Sequence, residues 1–296
     1  MTSDALHRPV LDWYATKQRV LPWRAPDRTA WGVLVSEVML QQTPVSRVLP
    51  VWQAWMRRWP DAVSLAGEPA GEAVRAWGRL GYPRRALRLH AAATAIRDEH
   101  EGQVPSTYEQ LLSLPGIGDY TAAAVASFAF GARHVVLDTN VRRVLSRAVS
   151  GEAQPPRSLT VAERRLAESL LPDDDAPTWA VAVMELGALV CTARAARCLE
   201  CPLTSLCAWR SAGSPTSDQA GRRTQPWHGT DRQVRGRLLA VARAADPGQA
   251  VDHGQLATAV PDDELRDPRQ RERCLASLVE DGLLEQCGSD RYRLPT

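Results

Sequence analysis

Apolar positions recur at helical spacing along most of the chain, and strand-like alternation is scarce until its end. Residues 1–20 read as one helix, with Leu11, Trp13, Tyr14 and Val20 on its apolar side. Leu21-Pro22-Trp23-Arg24 breaks it. Thr29 can cap the next helix, which runs from Trp31 to Leu40 and carries Glu37 inside an otherwise apolar segment. Gln41-Gln42-Thr43-Pro44 ends that helix. A further helix places Trp52, Trp55, Met56 and Trp59 on one face, a pattern that reads as core.

Helical patterns follow near 70–78 and 83–99, joined by Leu80-Gly81-Tyr82-Pro83, and again near 107–113. Leu114-Pro115-Gly116-Ile117-Gly118-Asp119-Tyr120-Thr121 then leads into an apolar stretch to Phe130. Asp138-Thr139-Asn140 opens a helix to about Val149, 160–170 is helical, and Pro177 starts a helix through Leu189. Residues 211–230 are rich in Ser, Gly, Pro, Thr and Gln without an apolar period, which predicts a linker. The remainder predicts helices near 232–245, 253–260 and 268–281 and a hairpin from 283–287 and 291–294. That succession suggests a small winged-helix-like domain.

At 296 residues and 44% hydrophobic, the chain has room for two or three domains with real cores. Net charge is only +2, so any nucleic-acid face must be local. Residues 211–296 hold 12 Arg against 13 acidic residues, which does not mark them as the main DNA anchor. No apolar run approaches the roughly 20 residues that span a bilayer. The start lacks a basic region followed by an apolar core, so a cytosolic protein without membrane association is expected. Lys17 is the sole lysine.

Four of the six cysteines fall within seventeen residues, as Cys191, Cys198, Cys201 and Cys207. In a reducing compartment such a cluster points to a metal site rather than disulfides. Both tetrahedral zinc and an iron–sulfur cluster use four thiolates. Zinc usually takes two separated Cys-x-x-Cys pairs, whereas one pair flanked by single cysteines suits a loop wrapped around a cuboidal cluster.

The Pro115-Gly116-Ile117-Gly118 turn lets backbone pass closely and leaves the following helix's N–H groups directed outward, where they can hold a phosphate. Asp138 reads as an ordinary N-cap or as a carboxylate beside a reaction centre. Glu37 reads as half of a buried ion pair or as a general acid whose pKa its apolar neighbours raise.

The cysteine spacing, with Pro202 after the third cysteine, resembles the [4Fe–4S] loop of the endonuclease III and MutY DNA glycosylases. Leu114 to Thr121 resembles the helix–hairpin–helix of that superfamily. Ser36-Glu37-Val38-Met39-Leu40-Gln41-Gln42-Thr43 looks like the matching segment of MutY-type adenine DNA glycosylases. The resemblance covers residues 1 to about 210.

It implies a mainly α, two-lobed helix–hairpin–helix glycosylase. An iron–sulfur domain would comprise 1–27 and 135–210 and a helical domain 28–134, with the small domain that the pattern itself predicts over 231–296 lying beyond the resemblance. It implies that Glu37 protonates the departing adenine and that Asp138 stabilises the positive sugar, with Tyr120 and Asn140 in support. Endonuclease-III-type lyases carry a lysine where Tyr120 stands, so a monofunctional, water-using enzyme is implied. Gln42, Thr43, Leu80 and Tyr82 match positions that wedge into the duplex and touch the base opposite adenine. Arg24 matches an arginine beside the adenine pocket, and Gly116 and Gly118 match the phosphate-binding turn. Implied with these are a [4Fe–4S] cluster, a double-stranded DNA partner holding adenine opposite 8-oxoguanine or guanine, and a monomer acting in base excision repair at the nucleoid.

Two other readings compete. A sister thymine glycosylase would have no purine nitrogen for Glu37 to protonate. A non-enzymatic, cluster-bearing DNA-binding protein would need neither Glu37 nor Asp138. Many MutY proteins end in a Nudix-like β-rich domain, for which 231–296 is too short and too helical.

Overall fold

The computed structural model describes residues 4–216 and 228–296. Its helices are α1 (Asp4–Lys17), α2 (Ala30–Leu40), α3 (Val45–Arg58), α4 (Ala62–Ala66), α5 (Ala70–Trp77), α6 (Arg84–Glu99), α7 (Tyr108–Ser113) and α8 (Asp119–Phe130). There follow α9 (Thr139–Leu145), α10 (Val161–Ser169), α11 (Ala176–Leu189) and α12 (Ala208–Ser211). The C-terminal part holds α13 (Asp231–Ala244), β1 (Val251–Asp252), α14 (His253–Ala259), α15 (Gln270–Glu280), β2 (Glu285–Gln286) and β3 (Arg291–Arg293). The protein is thus mainly helical. Among the described residues no helix is long and apolar enough to cross a membrane.

The chain divides into two compact units. One comprises Met1–Val33, Ser106–Leu112 and Gly118–Gly221; the other Leu34–Pro105, Ser113–Ile117 and Arg222–Thr296. The expected lobes were 1–27 with 135–210, and 28–134. Here 118–134 lies with the first unit, and the C-terminal domain shares a unit with α3 to α6.

The first unit is built on α11, whose apolar face packs with α1, α9 and the segment around Leu170 in one core of Leu6, Val10, Tyr14, Val144, Trp179 and Leu186. Local chemistry sets the helix starts. Thr160 and Glu163 form a reciprocal capping box at α10, and Pro177 sits in the first turn of α11, where its missing N–H costs nothing. The helix expected to 149 continues beyond α9 as a π-helical turn over Ser146–Ser150. Val20, expected as an apolar helix position, is 99% exposed. α1 stops at Lys17, so Val20 follows the helix and leaves its buried face.

In the second unit Trp55 is edge-on to both Trp59 and Trp77, with ring centroids 4.9 and 5.7 Å apart. All three rings are fully buried, so Trp55 and Trp59 of the expected stripe are core, whereas Trp52 and Met56 on the same helix are only half-buried. The C-terminal part of this unit runs helix–strand–helix–helix–strand–strand, with an antiparallel sheet in the order β1-β3-β2. The hairpin was legible, but β1, two residues pairing Val251 with Tyr292, was not. Most of the expected linker, 217–227, lies outside the described residues.

Candidate active site and cysteine loop

Asp138 is the N-cap of α9. Its Oδ1 accepts from the backbone N–H groups of Asn140 and Val141 at 2.8 and 2.7 Å, and its Oδ2 accepts from Asn140 Nδ2 at 2.7 Å. Part of the residue reaches solvent, yet burial of the carboxylate dominates and raises its pKa from the ordinary 3.8. The donors from Val141 and Asn140 oppose that rise without cancelling it. The cap and the candidate catalytic carboxylate are therefore one group: helix geometry orients Asp138, and its environment makes negative charge costly. A carboxylate so placed gains most when a cation forms beside it.

Asn140 is held in turn. Its Oδ1 accepts from Arg143 Nη2 at 2.8 Å, and Arg143 also donates to the carbonyls of Gly187 and Cys191, both at 2.7 Å. Gly187 is required here. A Cβ at that position would lie 2.7 Å from Asn140 Cβ and 2.8 Å from its carbonyl oxygen. Burial lowers the pKa of Arg143. Arg143 was not legible in the sequence, because an arginine on a short helix carries no signal until its partners are known. Tyr120, half-buried, packs on a cluster that includes Val136, two residues before Asp138.

Arg24 donates to Glu185 Oε2 at 2.9 Å, and Arg19 reaches both oxygens of Glu185 at 2.7 Å. Glu185 is fully buried. Burial alone would raise its pKa, but the bonds from Arg19 and the charge of Arg24 outweigh it and hold the group at about 2. This triad was not visible in the sequence, where Glu185 looks like a polar interruption of an apolar helix.

The four thiols line one cavity with Val190, Ala196, Thr204 and Trp209. Burial raises the Cys201 thiol to about 11 and also raises Cys207. Four thiols converging on one cavity are a donor set that a metal ion or an iron–sulfur group would take up as thiolates. Arg147, on the π-helical turn, donates to the Thr192 carbonyl at 2.8 Å and lies 3.5 Å from Cys191 Sγ, while its guanidinium covers the Trp209 ring. Among the described residues no three His, Cys, Asp or Glu side chains are grouped as ligands of a single ion.

In the second unit Glu37 is 6% exposed, between buried Ser36 and Val38. The end of its helix is tied down by Arg85, another residue that sequence reasoning missed. Arg85 Nη1 donates to the carbonyls of Val38, Met39 and Gln41 at 2.8, 3.1 and 2.6 Å. Its Nη2 donates to Thr43 Oγ1 at 3.0 Å and to the Gly81 carbonyl at 3.1 Å. One buried guanidinium thus joins the Gln41–Thr43 turn to the Leu80–Tyr82 loop, and burial lowers its pKa to about 10.

Of the four expected wedge residues, Gln42 and Tyr82 are exposed, whereas Thr43 and Leu80 are buried. Gln42 and Tyr82 both adopt left-handed backbone, φ +55° and +48°. For residues with a Cβ that conformation is strained, and it persists only where the surroundings hold it.

Gly116 has φ +75°, and a Cβ there would meet Arg88 Cβ at 2.6 Å, so the turn requires glycine. Gly118 is the N-cap of α8 and supplies no side-chain cap. Asp119, in the first turn, is bonded to Tyr108 and paired with Arg164; these two contacts lower its pKa.

Residues 35–169 match the HhH-GPD superfamily of base excision DNA repair proteins. The chain is 53% identical over 285 residues to an adenine DNA glycosylase of Mycolicibacterium smegmatis, covering 96% of this chain and 94% of that one. It is 50% identical over 287 residues to an adenine DNA glycosylase of Mycobacterium tuberculosis, with 97% and 92% covered. Among solved structures, a thermostable thymine-DNA glycosylase superposes with a TM-score of 0.64 at 26% identity, covering 71% of this chain and 97% of that one.

Proposed function

The chain belongs to the MutY-type adenine DNA glycosylases of the HhH-GPD superfamily, and from that membership we propose how its residues carry the reaction and which duplex they act on. The enzyme hydrolyses the N-glycosidic bond of adenine in DNA, as a step of base excision repair. The observation that carries this is the identity of 53% across 96% of the chain to an adenine DNA glycosylase, which takes in the C-terminal domain as well as the catalytic part.

The substrate is duplex DNA in which adenine stands opposite 8-oxoguanine or guanine, with the adenine extruded from the stack. Glu37, a carboxyl buried on an apolar helix, gives its proton to a ring nitrogen of the departing base. The C1′–N9 bond breaks with its electron pair leaving on adenine. Asp138, held by three donors, offsets the positive charge left on the sugar; water then adds at C1′, giving up a proton that restores the Glu37 carboxyl. Asn140 keeps the Asp138 carboxylate in one orientation. Tyr120 stands where a lyase would need an amine. Gly116 and Gly118 shape the turn that presents α8's N–H groups to a backbone phosphate.

Cys191, Cys198, Cys201 and Cys207 would hold the [4Fe–4S] cluster. When bound, it supplies iron–thiolate bonds that fix the loop following α11. Arg143 and Arg147 bond to carbonyls of that loop. Through Arg143 the loop is tied to Asn140 and hence to Asp138. The helix–strand–helix–helix–strand–strand order supports a winged-helix reading of the C-terminal domain. The protein works as a monomer at the nucleoid, where its substrate lies.

The test is a panel of duplexes holding adenine opposite 8-oxoguanine, guanine or thymine, and thymine opposite guanine, each incubated with enzyme and then treated with alkali to cleave abasic sites. Cleavage of the adenine strand opposite 8-oxoguanine and guanine is expected. Preferential cleavage of the thymine strand opposite guanine would overturn the assignment in favour of the chemistry named for the thymine-DNA glycosylase neighbour.

A further inference from the structure

The C-terminal domain is fastened to both sides of the Gly78–Pro83 loop. On one side, Arg243 of α13 reaches the end of α5, its Nε donating to the Val74 carbonyl at 2.8 Å and its Nη1 to the Gly78 carbonyl at 2.6 Å. Arg75 returns bonds to the carbonyls of Arg243 and Ala245. The Gly71 N–H donates to the Pro295 carbonyl at 2.7 Å, and a Cβ on Gly71 would fall 2.5 Å from that oxygen. On the other side, Arg84 at the start of α6 pairs with Asp281 at 3.1 Å. Arg243 is buried deeply enough that burial lowers its pKa to about 10. Arginine side chains from both partners thus hold backbone carbonyls of the other, and one main-chain bond joins Gly71 to Pro295.

Between the two attachments stands Tyr82, half exposed and strained at φ +48°. Two guanidiniums approach its ring. Arg85, from its own lobe, lies 5.6 Å from the ring centroid, and Arg232, from the first turn of α13, lies 5.4 Å away. Both distances are within the range of a cation–π contact. The C-terminal domain therefore contributes a side chain to the residue that the family resemblance sets against the base opposite adenine.

We propose that the C-terminal domain is a positioning element for DNA recognition, and that Arg232 acts by holding the Tyr82 ring in its duplex-facing conformation. The proposal rests on Tyr82 meeting DNA, as the resemblance to the MutY-type glycosylases implies. It gives the small domain a role different from that of a β-rich domain reading the oxidised base itself: here the domain fixes a residue of the catalytic part. Arg232 is a positioning residue and touches no reacting atom.

The experiment measures single-turnover excision from an adenine:8-oxoguanine duplex against enzyme concentration. It yields a half-saturating concentration and a saturating rate for the full-length wild type, Arg232→Ala, Arg232→Lys, Tyr82→Ala and the double variant Tyr82→Ala/Arg232→Ala. Arg232→Ala is expected to raise the half-saturating concentration roughly two- to fivefold, as loss of one exposed cation–π contact would. The saturating rate and melting temperature should stay at the wild-type values, and Arg232→Lys should restore binding in part. In the Tyr82→Ala background, removing Arg232 should add nothing.

An equal loss from Arg232→Ala with and without Tyr82 would overturn the proposal and assign Arg232 directly to a phosphate. No loss from Arg232→Ala, beside a clear loss from Tyr82→Ala, would overturn it while leaving the role of Tyr82 standing. Unchanged binding by Tyr82→Ala would remove the footing of both.

Discussion

Asn140 donates to the second oxygen of Asp138 at 2.7 Å, and Arg143 donates to Asn140 at 2.8 Å. Asp138 thus has one oxygen committed to the helix and the other to a side chain that is itself fixed. Removing Asn140 separates catalysis from capping. Asn140→Ala leaves both backbone donors on Asp138 Oδ1 and removes one bond to a charged group, worth about 1.5–3 kcal/mol. The saturating excision rate should fall roughly ten- to hundredfold. Asn140 is a donor that lowers the pKa of Asp138, so its loss should also move the acid limb of the rate–pH profile to higher pH. An unchanged acid limb would mean that Asp138 does not limit the reaction there. Asp138→Asn should abolish turnover while duplex binding and melting temperature change little.

Glu185 provides a stability prediction of the opposite sign to the burial of Asp138. Its pKa is lowered from 4.5 to about 2 by Arg19 and Arg24. The stability it contributes is complete above the unfolded value near 4.5 and is lost as pH falls towards 2. The difference corresponds to about 3 kcal/mol. Glu185→Gln should leave two arginines facing an uncharged group, lower the melting temperature at neutral pH, and flatten the fall in melting temperature between pH 5 and 2 (roughly that window follows from linkage). A mutant that keeps the wild-type acid profile would show that the triad does not control acid stability.

The contrast between these carboxylates indicates what the sequence could convey. Asp138 was legible because a short Asp-Thr-Asn string at a helix start has a local meaning. Glu185 and Glu37 look alike in sequence, each a single carboxylate in an apolar helix, and only the fold supplies Arg19 and Arg24 to one of them. The long helices followed from their apolar period. The π-helical turn at Ser146–Ser150 did not, because nothing local distinguishes it from continued helix. Strand β1 was missed because two residues carry no alternation, and its pairing with β3 spans about forty residues of chain. Arg85 and Arg143 escaped for a common reason: both act on backbone carbonyls, which every sequence has everywhere.

The cysteine loop predicts a metal dependence that can be seen directly. Purified protein should be brown, with roughly four irons and four sulfides per chain. Colourless protein with one zinc per chain would sink the assignment. Cys198→Ser should lose colour and folding stability together, because metal binding is linked to folding. Arg147→Ala should keep iron content but speed the bleaching of the cluster in air, since it removes the cation beside Cys191 and uncovers Trp209.

Tyr120 and the solitary Lys17 predict the absence of lyase chemistry. A Schiff base requires an amine at the reacting carbon. Borohydride added during turnover should trap no covalent protein–DNA adduct, while abasic sites accumulate and await alkali. Strong trapping that disappears in Lys17→Ala would place an amine at the sugar and contradict a monofunctional enzyme.

Glu37 separates catalysis from structure most sharply. It is buried on α2, and the end of that helix is fastened by Arg85 through three carbonyls. Glu37→Gln keeps the size and hydrogen-bonding reach of the side chain but removes the transferable proton. If the carboxyl protonates adenine, excision should fall by about 10² to 10⁴, with binding to the mispaired duplex retained. If it instead serves as half of a buried ion pair, the same change should cost about 3–5 kcal/mol of stability, and the protein should melt early and bind poorly. Rate, affinity and melting temperature measured on one preparation distinguish these outcomes. A Glu37→Gln protein that melts normally and still excises adenine at the wild-type rate would remove Glu37 from the reaction.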